Sequence, residues 1–210
     1  MKEFSAGNGV TAIFDKKAGT IEICSEGGTI RPDWLERAGI DRDKVISIHV
    51  KKGGRIFLPE DASGWNGQEA KYRLFGDLYN LKHIDLDGFD ASRVRSMQDM
   101  FIGCAALKTL DMDDLDTSSV TNMSSVFVDC WRLTEVKCAK WNTSKVTDMS
   151  QMFCGCHSLR SLDLSSFDTS SVTDMHEMFY GCYQLTKLDL SNFDTSSVTN
   201  MNQTFAVCTS

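Results

Sequence analysis

The 210-residue chain has no excess of basic residues, no long apolar run and no catalytic triad at a recognisable spacing. Its formal net charge is −7, whereas a protein that binds duplex nucleic acid carries a basic stripe, so we expect no nucleic-acid partner. No segment approaches the roughly 18 apolar residues of a membrane-spanning helix. The histidines are scattered, with no serine, cysteine or carboxylate spaced for nucleophilic catalysis. We therefore expect neither an enzyme nor a cofactor.

The chain also begins without the apolar stretch of a secretory signal, since it reads Met-Lys-Glu-Phe-Ser-Ala-Gly-Asn-Gly. Two locations fit this start. The protein is cytoplasmic, or it is a secreted or cell-surface protein whose signal is not in this chain.

The chain contains one 26-residue repeat that occurs five times without insertion or deletion. The copies start at Leu81, Leu107, Leu133, Leu159 and Leu185, and position 1 denotes that leucine below. A fixed period of this length predicts a solenoid, in which each coil buries its apolar face against its neighbours. Residues 81–210 are therefore predicted to be five stacked coils.

Each coil is predicted to begin with a short strand. Apolar residues occupy positions 1, 4 and 6, as in Leu159, Leu162 and Leu164, and a large apolar residue follows at position 9. Alternation of this kind places one face of a strand in the core. Because the phase is identical in every copy, the strands should pair in parallel and in register. Six coils at about 4.8 Å each would give a sheet roughly 25–30 Å long.

The second half of each coil is predicted to be helical. Position 16 carries residues that favour a helix N-cap, and position 19 offers a capping-box partner in several copies. Met175, Met178 and Phe179 then recur at helical spacing, and Gly181 would end the turn. The expected fold class is therefore an α/β solenoid, with a parallel sheet on one face and short helices on the other.

A polar corner separates these two halves. Position 10 is Asp90, Asp116, Asn142, Asp168 or Asp194, and short acceptors of this kind satisfy backbone donors in turns. A stacked calcium site is the alternative interpretation of this column.

The first eighty residues are predicted to cap the solenoid and to start it. Residues 11–14 and 20–24 read as a β-hairpin, and residues 32–38 read as a short helix, so 1–44 would form an N-terminal cap. Val45, Ile48 and Val50 fit the strand pattern, so 45–80 would be an irregular first coil with an insertion around 51–69. Val45–Val50 should then pair beside Leu81–Leu86.

Five of the eight cysteines occupy position 24 and would stack in one column: Cys104, Cys130, Cys156, Cys182 and Cys208. Parallel side chains on successive coils disfavour the dihedral angle of a disulfide, so we expect all five to be reduced and buried. Cys138, Cys154, Cys156 and His157 form a local group that zinc would favour. Positions 6 and 22 lie on different sides of a coil, so we expect no metal there.

The string Leu162-Asp-Leu-Ser-Ser-Phe-Asp-Thr-Ser-Ser-Val-Thr-Asp-Met, followed by Met178-Phe-Tyr-Gly-Cys, resembles the repeat of bacterial BspA-like leucine-rich-repeat surface proteins. The resemblance implies a right-handed leucine-rich-repeat solenoid in a secreted or wall-attached protein that adheres to host or neighbouring cells. It implies no catalytic residues. Copy three departs from the pattern, with Val136-Lys137-Cys138 in place of Leu-Asp-Leu.

Two surfaces are candidates for contact with a protein partner. The first is an acidic strip on the strand face, which Lys137 and Lys140 interrupt: Asp85, Asp87, Asp111, Asp113, Asp163 and Asp189. The second follows the cysteine column at the variable position 25, with Tyr79, Trp131, His157 and Tyr183, and includes the nearby Tyr180. Aromatic residues are those that most often anchor an interface. A solvated acidic face and rings that only cover the cysteines are the structural alternatives.

We therefore expect a non-enzymatic, adhesin-like interaction module, with a structural spacer as the alternative. The fifth copy carries no polar terminal repeat after it in this chain. This observation raises two further expectations: the protein continues beyond Ser210, or two copies meet end to end as a homodimer.

Overall fold

The computed structural model describes residues 1–63 and 73–208, and these form a parallel β-solenoid that starts from an antiparallel hairpin. The hairpin consists of β1 (Lys2–Asp15) and β2 (Thr20–Ile30), and it confirms the hairpin predicted from the sequence. A single helical turn, α1 (Trp34–Arg37), and a 3-10 turn (Arg42–Lys44) follow. The buried rings of Trp34 and Phe75 then join this segment to the solenoid core.

The second hairpin strand is also the first strand of the solenoid. Its beginning pairs in parallel with β3 (Ser47–Val50), and its end pairs with β4 (Arg55–Phe57). The next coil adds β5 (His83–Ile84) beside β3 and β6 (Phe89–Asp90) beside β4. The pairing predicted for Val45–Val50 beside Leu81–Leu86 is therefore confirmed, with Ile48 opposite Ile84. One long strand thus covers the apolar edge of the first coil.

The predicted single continuous sheet is wrong for the described residues. β7 (Thr109–Asp111) and β8 (Glu135–Lys137) form a separate two-stranded sheet, and Ser161 and Lys187 form an isolated bridge with each other in the later coils. In the four copies with aspartate at position 5, its carboxylate folds back onto its own backbone, as where Asp163 Oδ1 accepts a hydrogen bond from Ser165 N at 3.1 Å. This bond turns the chain two residues later.

The predicted helices are also wrong for the described part of the repeats, where the second half of each coil consists of stacked turns. Alternate N–H groups donate to the next coil, as in Ser125 N to Ser150 O and Phe127 N to Met152 O, both at 2.9 Å. The N–H groups between them bond within their own coil, as in Cys130 N to Phe127 O at 3.2 Å. A helix would direct all of these donors along one segment, whereas a stack of identical coils satisfies half of them between segments.

Position 19 enforces this arrangement. Its residues adopt the left-handed region in every copy, with φ of 53–57°, and so interrupt any helix. They are Asp99, Ser125, Gln151, Glu177 and Gln203. The position-16 residues are not helix caps but successive members of a ladder of parallel bridges that runs through Asp61, Ser96, Asn122, Asp148, Asp174 and Asn200. Their side chains accept from the N–H two residues on, as in Ser124 N to Asn122 Oδ1 at 2.8 Å.

The core is a set of columns that run through the stack. Six phenylalanine rings stack along it, with neighbouring centroids 5.3–6.0 Å apart: Phe75, Phe101, Phe127, Phe153, Phe179 and Phe205. The methionines at position 17 and the cysteines at position 24 are buried in the coils up to Cys182. In the last described coil, Met201 and Phe205 are each 46% exposed.

A second internal column holds the coils together through threonine. Thr117, Thr143 and Thr169 at position 11 are buried, and each bonds to the next coil through both the donor and the acceptor of its hydroxyl. The polar corner at position 10 lies beside them, and its carboxylates and amide accept from serine N–H groups two residues on. This column is therefore a series of turns, as the structural interpretation predicted.

The first coil is irregular, and part of it lies outside the described residues. Asp61 occupies the place of position 16, and Phe75 that of position 21. The predicted insertion around 51–69 is thus divided between a loop at 51–54 and the stretch between 62 and 73, of which 64–72 is not described.

Candidate functional site

Three rings stack along one edge of the solenoid, two of them exposed and the middle one, His157, half-buried. We call them the aromatic row: Trp131, His157 and Tyr183. Trp131 and His157 are parallel to within 5°, with centroids 6.4 Å apart. His157 and Tyr183 have centroids 4.8 Å apart. Trp131 is 51% exposed and Tyr183 is 38% exposed. The predicted contiguity of these three residues is therefore present in the fold.

The backbone immediately before each ring explains why it points outward. The cysteine at position 24 faces the core, and its Sγ donates to the position-21 carbonyl oxygen of the preceding coil, as in Cys156 to Phe127 O at 3.2 Å. The residue after it must then face solvent. Position 23 is left-handed in every coil, which turns the chain sharply ahead of this pair.

Tyr180 and Tyr79 take different places. Tyr180 lies at position 22 and is half-buried, and no ring contact joins it to the row among the described residues. Tyr79 is 51% exposed and lies on the same line as the row. It is separated from Trp131 by one coil, in which position 25 is Ala105. The sixth position-25 residue, Thr209, lies outside the described residues.

Aspartate residues fix the rings of Trp131 and Tyr79, a feature that the sequence interpretation missed. Trp131 Nε1 donates to Asp129 Oδ1 at 3.1 Å, and Tyr79 Oη donates to Asp77 Oδ1 at 3.2 Å. The charge of Asp77 raises the pKa of the Tyr79 hydroxyl. A spacing of two residues between aspartate and an aromatic donor is the sequence signal for this contact.

The acidic strip lies on the strand face, but the chain itself already uses much of it. Asp85, Asp111, Asp163 and Asp189 at position 5 each accept from the N–H two residues on, and the first two therefore bind the backbone of Asp87 and Asp113. Hydrogen bonds from Ser165 and Ser191 lower the pKa of Asp163 and Asp189. The strip is thus partly a row of turn residues.

The two lysines that interrupt the strip pair with aspartates of the preceding repeat. Lys137 Nζ lies 2.7 Å from Asp111 Oδ2, and Lys140 Nζ lies 3.1 Å from Asp114 Oδ1. The hydrogen bond from Lys137 lowers the pKa of Asp111. Both lysines therefore form ion pairs within the chain, independently of any partner. Whether the strip contacts a partner remains a prediction.

The cysteine group of copy three does not converge. Cys138 Sγ lies 3.8 Å from Asp163 O on the strand side, whereas Cys156 Sγ donates to Phe127 O inside the turn stack. Among residues 1–63 and 73–208, no three histidine, cysteine or acidic side chains are placed to hold a metal ion.

The column cysteines are free thiols, and four of the five are buried. Cys208 is partly exposed, so the prediction that all five are buried is wrong for this one. Burial raises the pKa of Cys104 and Cys182 to about 12, and holds those of Cys130 and Cys156 well above their usual range. These thiols are therefore packing groups that also donate weak hydrogen bonds.

No helix in the described part of the chain is long and apolar enough to cross a membrane.

Comparison with known proteins gives one family match. The sequence model of the family described as "Mycoplasma protein of unknown function, DUF285" matches residues 69–161 and again 129–210, which together cover more than half of the chain. A search of curated proteins gives no match.

Two solved structures are similar. A leucine-rich repeat protein from Bacteroides ovatus ATCC 8483 shares 17% identity with this chain at a TM-score of 0.38, and the alignment covers 92% of this chain and 56% of that one. A leucine-rich repeat protein from Eubacterium ventriosum ATCC 27560 shares 9% identity at a TM-score of 0.23, with 98% and 94% covered. This chain thus spans little more than half the length of the Bacteroides protein.

Proposed function

We propose that this chain, which belongs to the family described as "Mycoplasma protein of unknown function, DUF285", is a non-enzymatic protein-interaction module. It binds a macromolecular partner at the edge of the solenoid that carries the aromatic row. The observation that supports this function is the exposure of Trp131 and Tyr183 at the two ends of one ring stack. Large rigid rings fixed on a repeat scaffold bind at a low entropic cost.

The form of the scaffold supports a binding role. Positions that face the core repeat almost unchanged from coil to coil, whereas position 25 varies between alanine, tryptophan, histidine and tyrosine. Variation at an exposed position of this kind alters the surface without altering the core. Repeat proteins use extended surfaces of this kind for recognition.

The resemblance to BspA-like surface proteins supports a narrower proposal. In it, the module acts as an adhesin on the bacterial surface or in secreted form, and the partner is a protein on a host or neighbouring cell. The acidic strip would add a second contact, most useful for attracting a basic partner at a distance.

Binding to cells tests this function. Fluorescently labelled protein is added to epithelial cells and to bacterial cells, with and without prior protease treatment, and bound label is measured by flow cytometry. We expect saturable binding that protease treatment removes. The double variant W131A/Y183A should weaken it at least about 30-fold, which corresponds to about 2 kcal/mol, while the urea midpoint stays close to that of the wild type.

A matched control alters the strand face. The variant D163N/D189N removes two charges of the acidic strip and leaves the aromatic row intact. Equal loss of binding in both double variants would place the contact elsewhere than the row. Loss of stability in W131A/Y183A without any change in binding would favour a structural spacer, whose rings only seal the coils.

A further inference from the structure

We propose that the partner protein presents an acidic segment to the edge of the solenoid that carries the aromatic row, where its carboxylates meet a line of exposed cations. This inference rests on the proposed function and names the chemistry of the partner. We call these cations the basic line: Lys82, Lys108, Arg132, Arg160 and Lys187.

The basic line recurs with the repeat. Five four-residue junctions connect a position-25 residue to the strand that follows it: 80–83, 106–109, 132–135, 158–161 and 184–187. Each junction holds one lysine or arginine, and all five of these residues are exposed. Half of the ten basic residues in the repeats therefore lie within four residues of the position that carries the aromatic row.

Backbone bonds hold the junctions in register with one another and with the row. Thr134 N donates to Lys108 O at 2.8 Å, and Thr186 N donates to Arg160 O at 3.4 Å. Ser158 Oγ, in the fourth junction, donates to Trp131 O at 2.7 Å. Neighbouring coils are about 4.8 Å apart, so the five junctions span roughly 19 Å along the stack. The cations thus follow the same edge as the rings.

The basic line has few acidic neighbours, although the repeats hold 17 acidic and 10 basic residues. Glu135 is the one acidic residue within the junctions, and Asp129 borders the row, where it accepts from Trp131 Nε1. Among the described residues, none of the five cations makes an ion pair, whereas Lys137 and Lys140 on the strand face do. The charges of the basic line are therefore available to an external anion.

The ring stack favours a partner of the same sign. Trp131 and His157 stack face to face, as do His157 and Tyr183, so the rings turn their edges to solvent. The edge of an aromatic ring carries partial positive charge. A sugar would stack on an exposed ring face, and the faces between these rings are covered. Carboxylates of a peptide therefore fit this edge better than a glycan does.

The length of the line sets the length of the segment. An extended peptide rises about 3.3 Å per residue, so six residues match the roughly 19 Å of the basic line. We therefore expect a run of about six residues rich in aspartate or glutamate. The acidic strip on the strand face has the opposite sign, so the molecule offers separate surfaces to acidic and to basic groups.

The test uses capped hexaglutamate as the probe and the backbone amide signals of the protein in a heteronuclear NMR spectrum as the reporter. We expect saturable shifts at the junction residues and at the Trp131 indole N–H, with hexaglutamine weaker by at least about 10-fold. Shifts that spread over the surface without saturating would overturn the proposal. Binding of a heparin hexasaccharide at these residues without binding of hexaglutamate would overturn it in favour of an anionic glycan.

Two triple variants separate the basic line from the net charge of the protein. K108Q/R132Q/R160Q removes three cations of the line and should weaken hexaglutamate binding at least about 10-fold. The control K137Q/K140Q/K145Q removes the same charge elsewhere in the repeats. It should change binding less than about 2-fold at 0.15 M salt, where charges more than about 8 Å apart are largely screened. Equal loss in both variants would contradict the proposal. All six side chains are exposed, so the urea midpoints should stay close to that of the wild type.

The cell-binding assay distinguishes this inference from the proposed function. If W131A/Y183A loses cell binding while K108Q/R132Q/R160Q retains it, the aromatic row binds a partner that is not acidic, and this inference alone fails. If neither variant changes cell binding, the proposed function itself is wrong.

Discussion

Thr143 and Asp168 exchange two hydrogen bonds between neighbouring coils. Thr143 Oγ1 donates to Asp168 O at 2.9 Å and accepts from Asp168 N at 2.8 Å. The threonine side chain is fully buried, so neither backbone group has water as an alternative partner. One hydroxyl thus replaces a pair of backbone bonds where the strands do not pair.

The first prediction follows from this exchange. Thr143→Val keeps the shape of the side chain but leaves a buried N–H and a buried C=O unpaired, so it should destabilise the protein by about 2–4 kcal/mol. The measurement is urea unfolding followed by fluorescence. Ser144→Ala, at the next, exposed position, should change the midpoint little. A Thr143→Val midpoint equal to that of Ser144→Ala would mean that water reaches this column.

The second prediction compares two glycines at position 23. Gly155 and Gly181 have φ of 74° and 70°, so alanine at either site should cost about 1 kcal/mol through backbone strain. A β-carbon at Gly155 would also lie 2.6 Å from Asp129 Oδ1, whereas at Gly181 the nearest atoms are 3.9 Å away. Only Gly155→Ala should therefore displace Asp129 and shift the indole N–H signal of Trp131. The same shift in both variants would contradict the contact.

The third prediction concerns thiol reactivity. Below pH 8, the four buried column cysteines should resist alkylation in the native protein, because burial raises their pKa and removes access. All eight cysteines of the chain should react after denaturation. Mass spectrometry after pulsed alkylation identifies the modified sites. Rapid native modification of Cys130 or Cys156 would show that the coils open locally.

The fourth prediction is the pH dependence that these thiols impose. Their folded pKa is raised above the unfolded value of 9.0, so the unfolded chain loses its protons first as pH rises. Stability should therefore be full below pH 9 and fall above it, by roughly 1 kcal/mol per pH unit for each buried thiol. Urea midpoints at pH 8, 9.5 and 11 measure the slope. Cys130→Ala should reduce it, and an unchanged slope would assign the loss to other groups.

The fifth prediction tests the absence of helix from the repeats. The described residues contain one helix of four residues, Trp34–Arg37. Far-UV circular dichroism should therefore lack the paired minima of helical proteins. A strong helical spectrum would restore the helices expected from the spacing of Met175, Met178 and Phe179.

The sequence predicts the period and the core better than it predicts the backbone between them. Buried and exposed positions can be read from a repeat that occurs five times, and the columns of phenylalanine, methionine and cysteine lie where the pattern places them. The helix interpretation fails because Met175, Met178 and Phe179 would show the same spacing in a helix and in a stacked turn. The difference lies in where the N–H groups bond, and this depends on the neighbouring coil.

For the candidate site as well, the sequence predicts which residues are exposed but not the contacts between coils. The sequence predicts that Trp131 and Tyr183 face solvent, because each follows a cysteine that faces the core. Their contact through His157 depends on the rotation of each coil against the next, which a single repeat does not encode. The hydrogen bond from Trp131 Nε1 to Asp129 depends on the left-handed turn at position 23, where aspartate takes the place of glycine.

The ladder of bonds between coils also determines how the molecule would respond to force. Bonds such as Ser125 N to Ser150 O lie along the stacking axis, so tension between the ends of the stack loads successive coils in series. Each coil that unfolds releases 26 residues, or roughly 90 Å of extended chain. The solenoid would therefore lengthen in discrete steps under tension and dissipate mechanical work one coil at a time.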